Sequence, residues 1–392
     1  MAVRIPIYLD NHATTRPDPR VVQVMVSYLE EHYGNASSRQ HSFGWTASAA
    51  VDRARRQVAR VIGASEKEIV FTSGATESVN LALKGVVAAH GTGRCHIVTA
   101  STEHRAVLDT ARALERDGCR LTVLGVDHTG MVSLSEIERA LADDTVLVTV
   151  MTANNEIGTI APVEEIARLC RSRGVLFHTD ATQAVGKIPI DVQQLGVDLV
   201  SFSAHKMHGP KGVGTLYVRS RTPRIRIACQ IDGGGHEGGL RSGTLNVPAV
   251  AGFGEACRIA AECMPSESER MAALRDRLVG TLQSTLEGVR LNGHPTQRLP
   301  NNASLTIKNI SADTVMMDMK DIALSTGSAC SSEIPRPSHV LEAIGLTKED
   351  ARSTLRFGLS RFTTEEEIEY AAARVADVVR RHRQNAVAGV TA

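Results

Sequence analysis

The stretch VLFHTDATQAVGKIPIDVQQLGVDLVSFSAHKMHGPKGVG, at residues 175–214, decides the fold. It holds two apolar runs, at 175–179 and 199–203, and the connection between them is too long for a hairpin. Asp180 follows the first run directly, and Lys206 lies three positions past the second. The pattern predicts two buried parallel strands joined by a crossover. In an open parallel sheet the ligand crevice lies at such strand ends.

A lysine and an acid in these positions suit pyridoxal 5′-phosphate (PLP). The amine of Lys206 would form an imine with the aldehyde of the cofactor, and Asp180 would keep the pyridine nitrogen protonated. A protonated ring accepts electrons from a developing carbanion. The alternative is a surface lysine and a loop aspartate without a shared function. The residues that follow the other predicted strands favour the cofactor.

Composition and charge bound the class of protein. The 392 residues are enough for two domains, or for one large α/β domain with an appended lobe. A formal net charge of +1 argues against a surface that coats nucleic acid. The sequence has neither a transmembrane stretch of roughly 18 apolar residues nor a signal peptide. We therefore expect no membrane contact and a cytoplasmic location.

The cysteines stand at positions 95, 119, 170, 229, 257, 263 and 330. Their odd number and the absence of a C-x-x-C pair disfavour a disulfide framework. Six lie in apolar or helical surroundings, which predicts small buried side chains. Cys330 lies instead in a run rich in Gly, Ser, Thr and Pro, which is typical of an exposed loop. It is either incidental there or a nucleophile that swings into a cleft.

Apolar runs alternate with helical patterns along the first two thirds of the chain. We predict strands at 69–72, 96–99, 121–126 and 146–151, and helices at 79–89, 134–141 and 163–173. A further helix is expected to begin at about Val247. This alternation with short connections is typical of a parallel sheet with helices on both faces. After about residue 260 the character changes. A long charged helix is expected at 266–287 and a final one at about 364–382, within a smaller α+β lobe.

The run Ser73-Gly74-Ala75-Thr76 joins a predicted strand to a predicted helix. The first N–H groups of a helix have no partner within it and lie at the positive end of its dipole, so they attract anions. Gly74 lets the backbone approach a ligand closely, and Thr76 can add a hydroxyl. The alternative is an ordinary helix cap. Because PLP needs a phosphate site, this run is its best candidate.

Further polar residues follow other strands. His104 begins a helix, where its imidazole can stack on a pyridine ring, carry a proton or have a structural role alone. The amides Asn154 and Asn155 follow the strand at 146–151 and can bind a carboxylate or a ring oxygen. The central stretch adds three side chains that can contact the cofactor: Gln183, Ser203 and His205.

Two other residues lie far from the central stretch in sequence. Arg356 lies inside an apolar strand, where a buried charge requires an anion. It is either half of a structural salt bridge or a clamp on the carboxylate of an amino acid. His12 lies in the polar turn after the first short strand. It can face a site, but a loop histidine with no evident partner is more often solvated, and we favour that interpretation.

Ten motifs in order resemble the cysteine desulfurases of the nitrogenase and iron–sulfur assembly type, within the class V aminotransferase fold. The motifs are YLDNHATT (8–15), GNASSRQHSFG (34–44), TSGATES (72–78), TEHRAV (102–107), NNEIGT (154–159), HTDATQAVGK (178–187), SFSAHKMHGPKG (201–212), GGGHEGGLRSGTLN (233–246), STGSAC (325–330) and LRFGLSRFTTEEEI (355–368). The resemblance implies an α/β PLP-dependent transferase of fold type I, aspartate aminotransferase-like. Its large domain has a mainly parallel seven-stranded sheet, and its smaller domain is α+β. We assign residues 15–258 to the large domain, and 1–14 with 259–392 to the small domain that carries the cysteine loop.

The resemblance also implies roles for single residues. Lys206 is the Schiff-base lysine, Asp180 pairs with the pyridinium, His104 stacks on the ring and Gln183 contacts its phenolic oxygen. The phosphate contacts come from Ala75 through its backbone, Thr76, Ser203 and His205, and from Thr244 of the other subunit in a homodimer. The substrate carboxylate is held by Asn155 and Arg356.

The implied reaction converts L-cysteine into L-alanine. Freed Lys206 removes the α-proton of the substrate, and the thiolate of Cys330 attacks its sulfur and becomes a persulfide. His104 is a candidate for deprotonating Cys330. The persulfide passes to an iron–sulfur scaffold or another acceptor protein, and Cys330 can ligate a cluster transiently through it. No resident metal is expected.

Two departures from the family concern partners. Gly238 replaces a common arginine, and the chain ends soon after the last helix, without the longer tail that docks the scaffold in housekeeping members. We therefore expect the nitrogenase-associated type or another acceptor. The rival hypotheses are a selenocysteine lyase, an aminotransferase, and a non-catalytic scaffold that binds partners through the arginines at 219–226.

Overall fold

The computed structural model describes residues 3–91, 95–221, 224–326 and 338–390, with side chains as far as residue 385. Its twelve strands are β1 Ile7–Tyr8, β2 Ile69–Thr72, β3 His96–Ala100, β4 Arg120–Leu124, β5 Thr145–Thr149, β6 Leu176–Asp180, β7 Leu199–Ser203, β8 Gly214–Val218, β9 Val289–Leu291, β10 Asn302–Ile307, β11 Ile322–Ala323 and β12 Thr354–Gly358. The predicted strands of the central stretch are therefore β6 and β7.

Twelve α-helices accompany these strands within the described ranges. They are α1 Pro19–Glu30, α2 Ser42–Val61, α3 Ala75–His90, α4 Arg105–Arg116, α5 Leu134–Ala140, α6 Val163–Ser172, α7 Val192–Leu195, α8 Val247–Thr285, α9 Ala312–Asp318, α10 His339–Ala343, α11 Lys348–Arg352 and α12 Glu365–Val390. The last helix therefore runs beyond the predicted end near residue 382.

Seven strands form the main sheet, in the order β2-β8-β7-β6-β5-β3-β4. The strands β4, β3, β5, β6 and β7 are mutually parallel, whereas β8 is antiparallel to both of its neighbours. Every residue of β7 and β8 is buried, as expected for strands covered by helices on both faces. The predicted α/β class and the mainly parallel seven-stranded sheet are confirmed.

The core of the main sheet is aliphatic, with a small aromatic group at its centre. Phe253 of α8 lies with its ring 5.7 Å from that of Phe202 and 6.4 Å from that of Phe71, both edge-on. All three side chains are at most 1% exposed. Such contacts place α8 firmly on one face of the sheet.

The long helix α8 corrects one prediction. We expected two helices, one beginning near residue 247 and one at 266–287, but a single helix of 39 residues spans both and contains Pro265. Proline usually interrupts a helix because it lacks an N–H donor. Here the two halves pack into different cores, the first with Phe253 around the main sheet and the second with Leu278 around a smaller sheet. The free energy gained by packing both halves of α8 into cores outweighs the local cost of Pro265 within the helix.

The smaller sheet is antiparallel, in the order β12-β10-β9. Its core also takes Ile7 and Leu9 from the N-terminal segment, which reaches it through the β1–β11 pair. The predicted boundary at 258/259 falls inside α8. The division into residues 15–258, and 1–14 with 259–392, stays a prediction.

One cysteine pair departs from expectation. Cys95 and Cys119 immediately precede the parallel neighbours β3 and β4, with Cα atoms 4.9 Å apart, and form a disulfide. Cys170 and Cys257 are buried as predicted, whereas Cys229 and Cys263 are partly exposed. The pairing follows from strand order, which cysteine spacing does not reveal. Within the described ranges, no helix combines the length and the apolar character that a membrane span needs.

Candidate active site

The predicted site residues follow the carboxyl ends of strands that point the same way. Strand β2 runs parallel to β7, because β8 is antiparallel to both. At one edge of the sheet β6 therefore ends with Asp180, and β2, β3, β5 and β7 are followed by Thr76, His104, Asn155 and Lys206. This is the edge at which open α/β sheets bind ligands.

The amine of Lys206 is held by the N-terminal segment. Its Nζ donates to the main-chain carbonyls of His12 at 2.5 Å and Ala13 at 2.7 Å. Thr15 fixes the preceding peptide, since its N–H and its Oγ1 both donate to the carbonyl of His205 at 2.9 Å. The polar turn that follows β1 therefore forms one wall of the site.

His12 itself is only 2% exposed, so the expectation of a solvated residue is wrong. Its Nδ1 lies 3.0 Å from Oε1 of Gln183, its carbonyl accepts from Nε2 of Gln183 at 3.1 Å, and its Nε2 lies 3.2 Å from the carbonyl of Asn301. Burial, reinforced by the charge of Arg356, lowers the pKa of His12 to about 3. The imidazole is therefore neutral at physiological pH.

Asp180 is 4% exposed at the end of β6, and its Oδ1 accepts from the N–H of Thr182 at 2.9 Å. It pairs across the sheet with Ser201 of β7, which brings it beside the strand that leads to Lys206. His178 lies beneath it on the same strand. Burial lowers the pKa of His178 to about 4, so this histidine adds no charge at neutral pH.

His104 is the N-cap of α4, as its position after β3 suggested. Its Nδ1 accepts from the N–H of Ala106 at 3.1 Å, so in the neutral ring the proton lies on Nε2. Burial lowers the pKa of His104, with Asp180 opposing and Lys206 assisting. The charges of Asp180 and Lys206 both affect the pKa of this imidazole, so we assign the three residues to one site.

The run at 73–76 has the geometry of an anion cradle. Helix α3 begins at Ala75, Thr76 is exposed, and a Cβ built on Gly74 would meet no atom within 4 Å. The N–H groups at this helix start therefore border open space. A Cβ on Gly214 of the facing strand β8 would lie only 2.7 Å from Gly74, so the two backbones are close-packed behind the cradle.

Three other predicted phosphate ligands differ in their surroundings. Ser203 is 3% exposed, and its hydroxyl donates to the carbonyl of Val213 at 3.3 Å. The Nδ1 of His205 lies 3.1 Å from Oγ1 of Thr14, and burial lowers the pKa of His205 to about 4. Thr244 is exposed, between a short 3₁₀ helix at Glu237–Gly239 and helix α8.

Arg356 lies in β12 with its guanidinium buried among oxygen atoms. Its Nη2 donates to Oδ1 of Asp10 at 3.1 Å, its Nε to Oγ of Ser325 at 3.0 Å, and its Nη1 to the carbonyl of Asn155 at 3.0 Å. A guanidinium has five N–H groups, so three contacts leave two for a substrate carboxylate. Both sequence interpretations, a salt bridge and a carboxylate clamp, are compatible with this geometry.

Two buried residues were missed altogether. Glu156 is 5% exposed and accepts a hydrogen bond from the hydroxyl of Ser338, while burial raises its pKa to about 7. Lys187 is 4% exposed, and its Nζ donates to the main-chain carbonyl of Lys206 at 3.0 Å. Both lie in motifs quoted above. Neither follows a strand directly, so a search for polar residues at strand ends does not find them. Cys330 lies outside the described residues, which stop at 326 and resume at Ser338.

The chain is similar to known proteins in both sequence and structure. Residues 7–371 match the sequence model of the class-V aminotransferases. The chain is 50% identical over 382 residues to the cysteine desulfurase IscS of Anaeromyxobacter sp. (strain Fw109-5), which covers 97% of this chain and 94% of that protein. It superposes with a TM-score of 0.89 on the structure of a NifS-like protein, at 39% identity, covering 95% of this chain and 99% of the other. A structure of SspA in complex with cysteine has a TM-score of 0.81 at 33% identity, covering 91% and 100%.

Proposed function

The chain belongs to the class-V aminotransferase family and, within it, to the cysteine desulfurases, and from this we propose its reaction and the residues that perform it. It is an enzyme that removes sulfur from L-cysteine to give L-alanine and a persulfide on Cys330. The observation that carries the proposal is the pairing of β6 with β7, which brings Asp180 beside the strand that presents Lys206. An acid and an amine at neighbouring strand ends suit PLP.

The residues at this edge fit PLP. The open space beside Gly74 at the start of α3 suits a phosphate group, for which we propose Ala75, Thr76, Ser203 and His205 as ligands. The buried carboxylate of Asp180 suits a pyridinium nitrogen, with His104 against the ring and Gln183 at the phenolic oxygen. When bound, the cofactor supplies an imine-forming aldehyde and an electron-accepting ring.

Lys206 serves as imine lysine and then as base. Its amine must be unprotonated to form the imine, and once released it takes the α-proton of the substrate. The carbonyls of His12 and Ala13, which accept from its Nζ, are suited to stabilise the ammonium that this step produces. The N-terminal segment thus takes part in proton transfer through its backbone.

Arg356 and Asn155 orient the substrate by its carboxylate. Two N–H groups of the guanidinium remain after its three protein contacts, enough for a two-point contact with a carboxylate. Arg356 also donates to the main-chain carbonyl of Asn155, so the two residues are directly linked. A substrate fixed at this end presents its α-carbon in one orientation.

His104 is better suited to donate a hydrogen bond than to remove a proton. Its Nδ1 already accepts from the N–H of Ala106, so the neutral ring carries its proton on Nε2. To act as a base through Nδ1 it would have to give up the helix cap. We therefore propose that His104 stays neutral and donates a hydrogen bond through Nε2–H, which revises its candidate role in deprotonating Cys330.

We propose that the active form is a homodimer. Helix α1, the segment after it and the start of α2 expose apolar side chains that a monomer would leave in water. They are Val22, Leu29, Tyr33, Phe43 and Trp45, which are 44–68% exposed. The exposed position of Thr244 suits a role at the phosphate of a neighbouring subunit. Light scattering should give twice the mass of the 42.1 kDa chain. A monomer that still binds PLP would exclude the role of Thr244.

The persulfide sulfur passes to an acceptor protein, and we propose an iron–sulfur scaffold or another sulfur acceptor. The support is the similarity to cysteine desulfurases named IscS. The cytoplasmic location stays a prediction.

The reaction is tested by measuring alanine release from L-cysteine. We expect Cys330→Ala to keep the visible absorbance of the bound cofactor and lose turnover, whereas Lys206→Ala loses the imine absorbance itself. Cys263→Ala is the matched control, because Cys263 is a partly exposed cysteine on α8, and it should retain full activity. Full activity of Cys330→Ala would rule out the persulfide, and an unchanged spectrum of Lys206→Ala would rule out the imine lysine.

A further inference from the structure

We propose that His12 is a positioning residue of this active site, one that fixes the amide of Gln183 so that its free N–H meets the phenolic oxygen of the cofactor. The inference deepens the proposed function and rests on it, because Gln183 has this role only if PLP is bound. His12 and Gln183 are 171 positions apart and touch twice.

The contacts decide which way the amide of Gln183 points. A backbone carbonyl only accepts hydrogen bonds, so the amide nitrogen of Gln183 must be the end that faces the carbonyl of His12, at 3.1 Å. Its Oε1 then faces Nδ1 of His12, at 3.0 Å. Because Oε1 only accepts, the Nδ1 of His12 must carry a proton.

This arrangement selects one tautomer of His12. A neutral imidazole carries a single proton, whereas Nδ1 and Nε2 each face an oxygen that only accepts, at 3.0 Å and 3.2 Å. We place the proton on Nδ1, at the shorter contact, which leaves Nε2 without a hydrogen bond to the carbonyl of Asn301. A second proton would bond this carbonyl, but burial and the charge of Arg356 keep the pKa of His12 near 3. His12 therefore remains neutral and holds Gln183 in one orientation over the working pH range.

The amide nitrogen of Gln183 has two N–H groups. One donates to the carbonyl of His12, and we assign the other to the phenolic oxygen. A donor at that oxygen favours its ionised form and lowers its pKa. If the amide turned over, a carbonyl oxygen would face the phenolic oxygen and raise this pKa instead. The tautomer of His12 thus sets the ionisation of the bound cofactor.

His12 could instead be a space-filling residue. It is 2% exposed, and a Cβ built on Gly358 would lie 2.8 Å from its Cδ2, so the ring is closely packed. A stability measurement would not separate the two roles. The test must therefore measure the ionisation of the bound cofactor. The variants must differ in which nitrogen of the His12 imidazole they imitate.

The experiment is a pH titration of the visible absorbance of the holoenzyme without substrate. In His12→Asn the side-chain amide stands where Nδ1 stood, and in His12→Gln it stands where Nε2 stood. We expect His12→Asn to titrate as wild type, and His12→Gln to shift the midpoint upward by about one pH unit, a tenfold change in the ionisation constant. Gln183→Leu should give a shift at least as large.

A double-variant comparison completes the test. If His12 acts through Gln183, the shift of His12→Gln with Gln183→Leu equals that of Gln183→Leu alone. Additive shifts, or equal behaviour of His12→Asn and His12→Gln, would overturn the proposal. Failure of the wild type to bind PLP would instead refute the proposed function, and melting temperatures of all variants show which of them are folded.

Discussion

The guanidinium of Arg356 donates to Oδ1 of Asp10 across 3.1 Å, although 346 positions separate the two residues. The same carboxylate oxygen accepts from the hydroxyl of Ser325 at 2.9 Å, and Ser325 accepts in turn from Nε of Arg356. An anion therefore already faces the group that we assign to the substrate carboxylate. Its charge weakens the attraction of Arg356 for a second anion.

Neutralising Asp10 should tighten substrate binding. Asp10→Asn keeps an oxygen acceptor for Arg356 and Ser325 but removes the negative charge, so we expect the KM for L-cysteine to fall about fivefold, or ~1 kcal/mol. Steady-state kinetics checks this, with Asp313→Asn, an exposed acid on α9, as control. A higher KM in Asp10→Asn would mean that the charge of Asp10 is needed to orient Arg356.

Glu156 should make stability depend on pH. Its pKa is raised by burial to about 7 in the folded protein, so below that value the native state binds a proton that the unfolded state releases near pH 4.5. The contribution of Glu156 to stability is therefore full below pH 4.5 and is lost as the pH rises to about 7. Ionised Glu156 remains hydrogen-bonded to Ser338 but is costly to bury.

The variant Glu156→Gln should lack this dependence. Between pH 5 and 7 we expect its stability to rise relative to wild type by about 2 kcal/mol and then to level off. Urea denaturation at several pH values measures the difference, and the buried histidines cancel because both proteins contain them. A constant difference across this range would show that Glu156 titrates below pH 5.

Lys187 should affect how Lys206 is presented rather than whether the protein folds. Lys187→Met removes the donor to the carbonyl of Lys206, but it also removes an ammonium whose pKa burial and Arg361 lower to about 8. Loss of a hydrogen bond and relief of a buried charge oppose each other, so we expect stability to change by less than about 1 kcal/mol.

The effect of Lys187→Met should instead appear in imine formation. We expect the visible absorbance to develop several-fold more slowly when PLP is added to the apoprotein, and kcat to fall with it. The exposed Lys308→Met serves as control for the loss of a lysine. Wild-type rates of imine formation in Lys187→Met would show that the contact does not position Lys206.

Phe253 should be among the largest single contributors to the main core. Its ring is fully buried between those of Phe71 and Phe202, so Phe253→Ala removes packing on two sides and should cost about 3–5 kcal/mol. The control Met317→Ala removes an apolar side chain that is 74% exposed and should change stability by less than about 0.5 kcal/mol. Equal denaturation midpoints for Phe253→Ala and wild type would show that Phe253 contributes little to the stability of the core.

Much of the site could be predicted because its residues obey a local rule. Thr76, His104, Asp180 and Lys206 each come shortly after an apolar run, and parallel strands bring their carboxyl ends to one edge. Periodicity and strand-end position are properties of neighbouring residues, so they are visible in the chain itself. The same holds for the α/β class and for the start of a helix at His104.

What the sequence alone determined was therefore the order of strands and helices, the edge that carries the chemistry and the family. The tertiary structure decided which distant residues meet: His12 with Gln183, Asp10 with Arg356, and Lys187 with the carbonyl of Lys206. It also joined two expected helices into α8 and paired Cys95 with Cys119. The physical reason is that such contacts depend on the paths of whole elements through the fold, and burial then sets the protonation of the groups that they enclose.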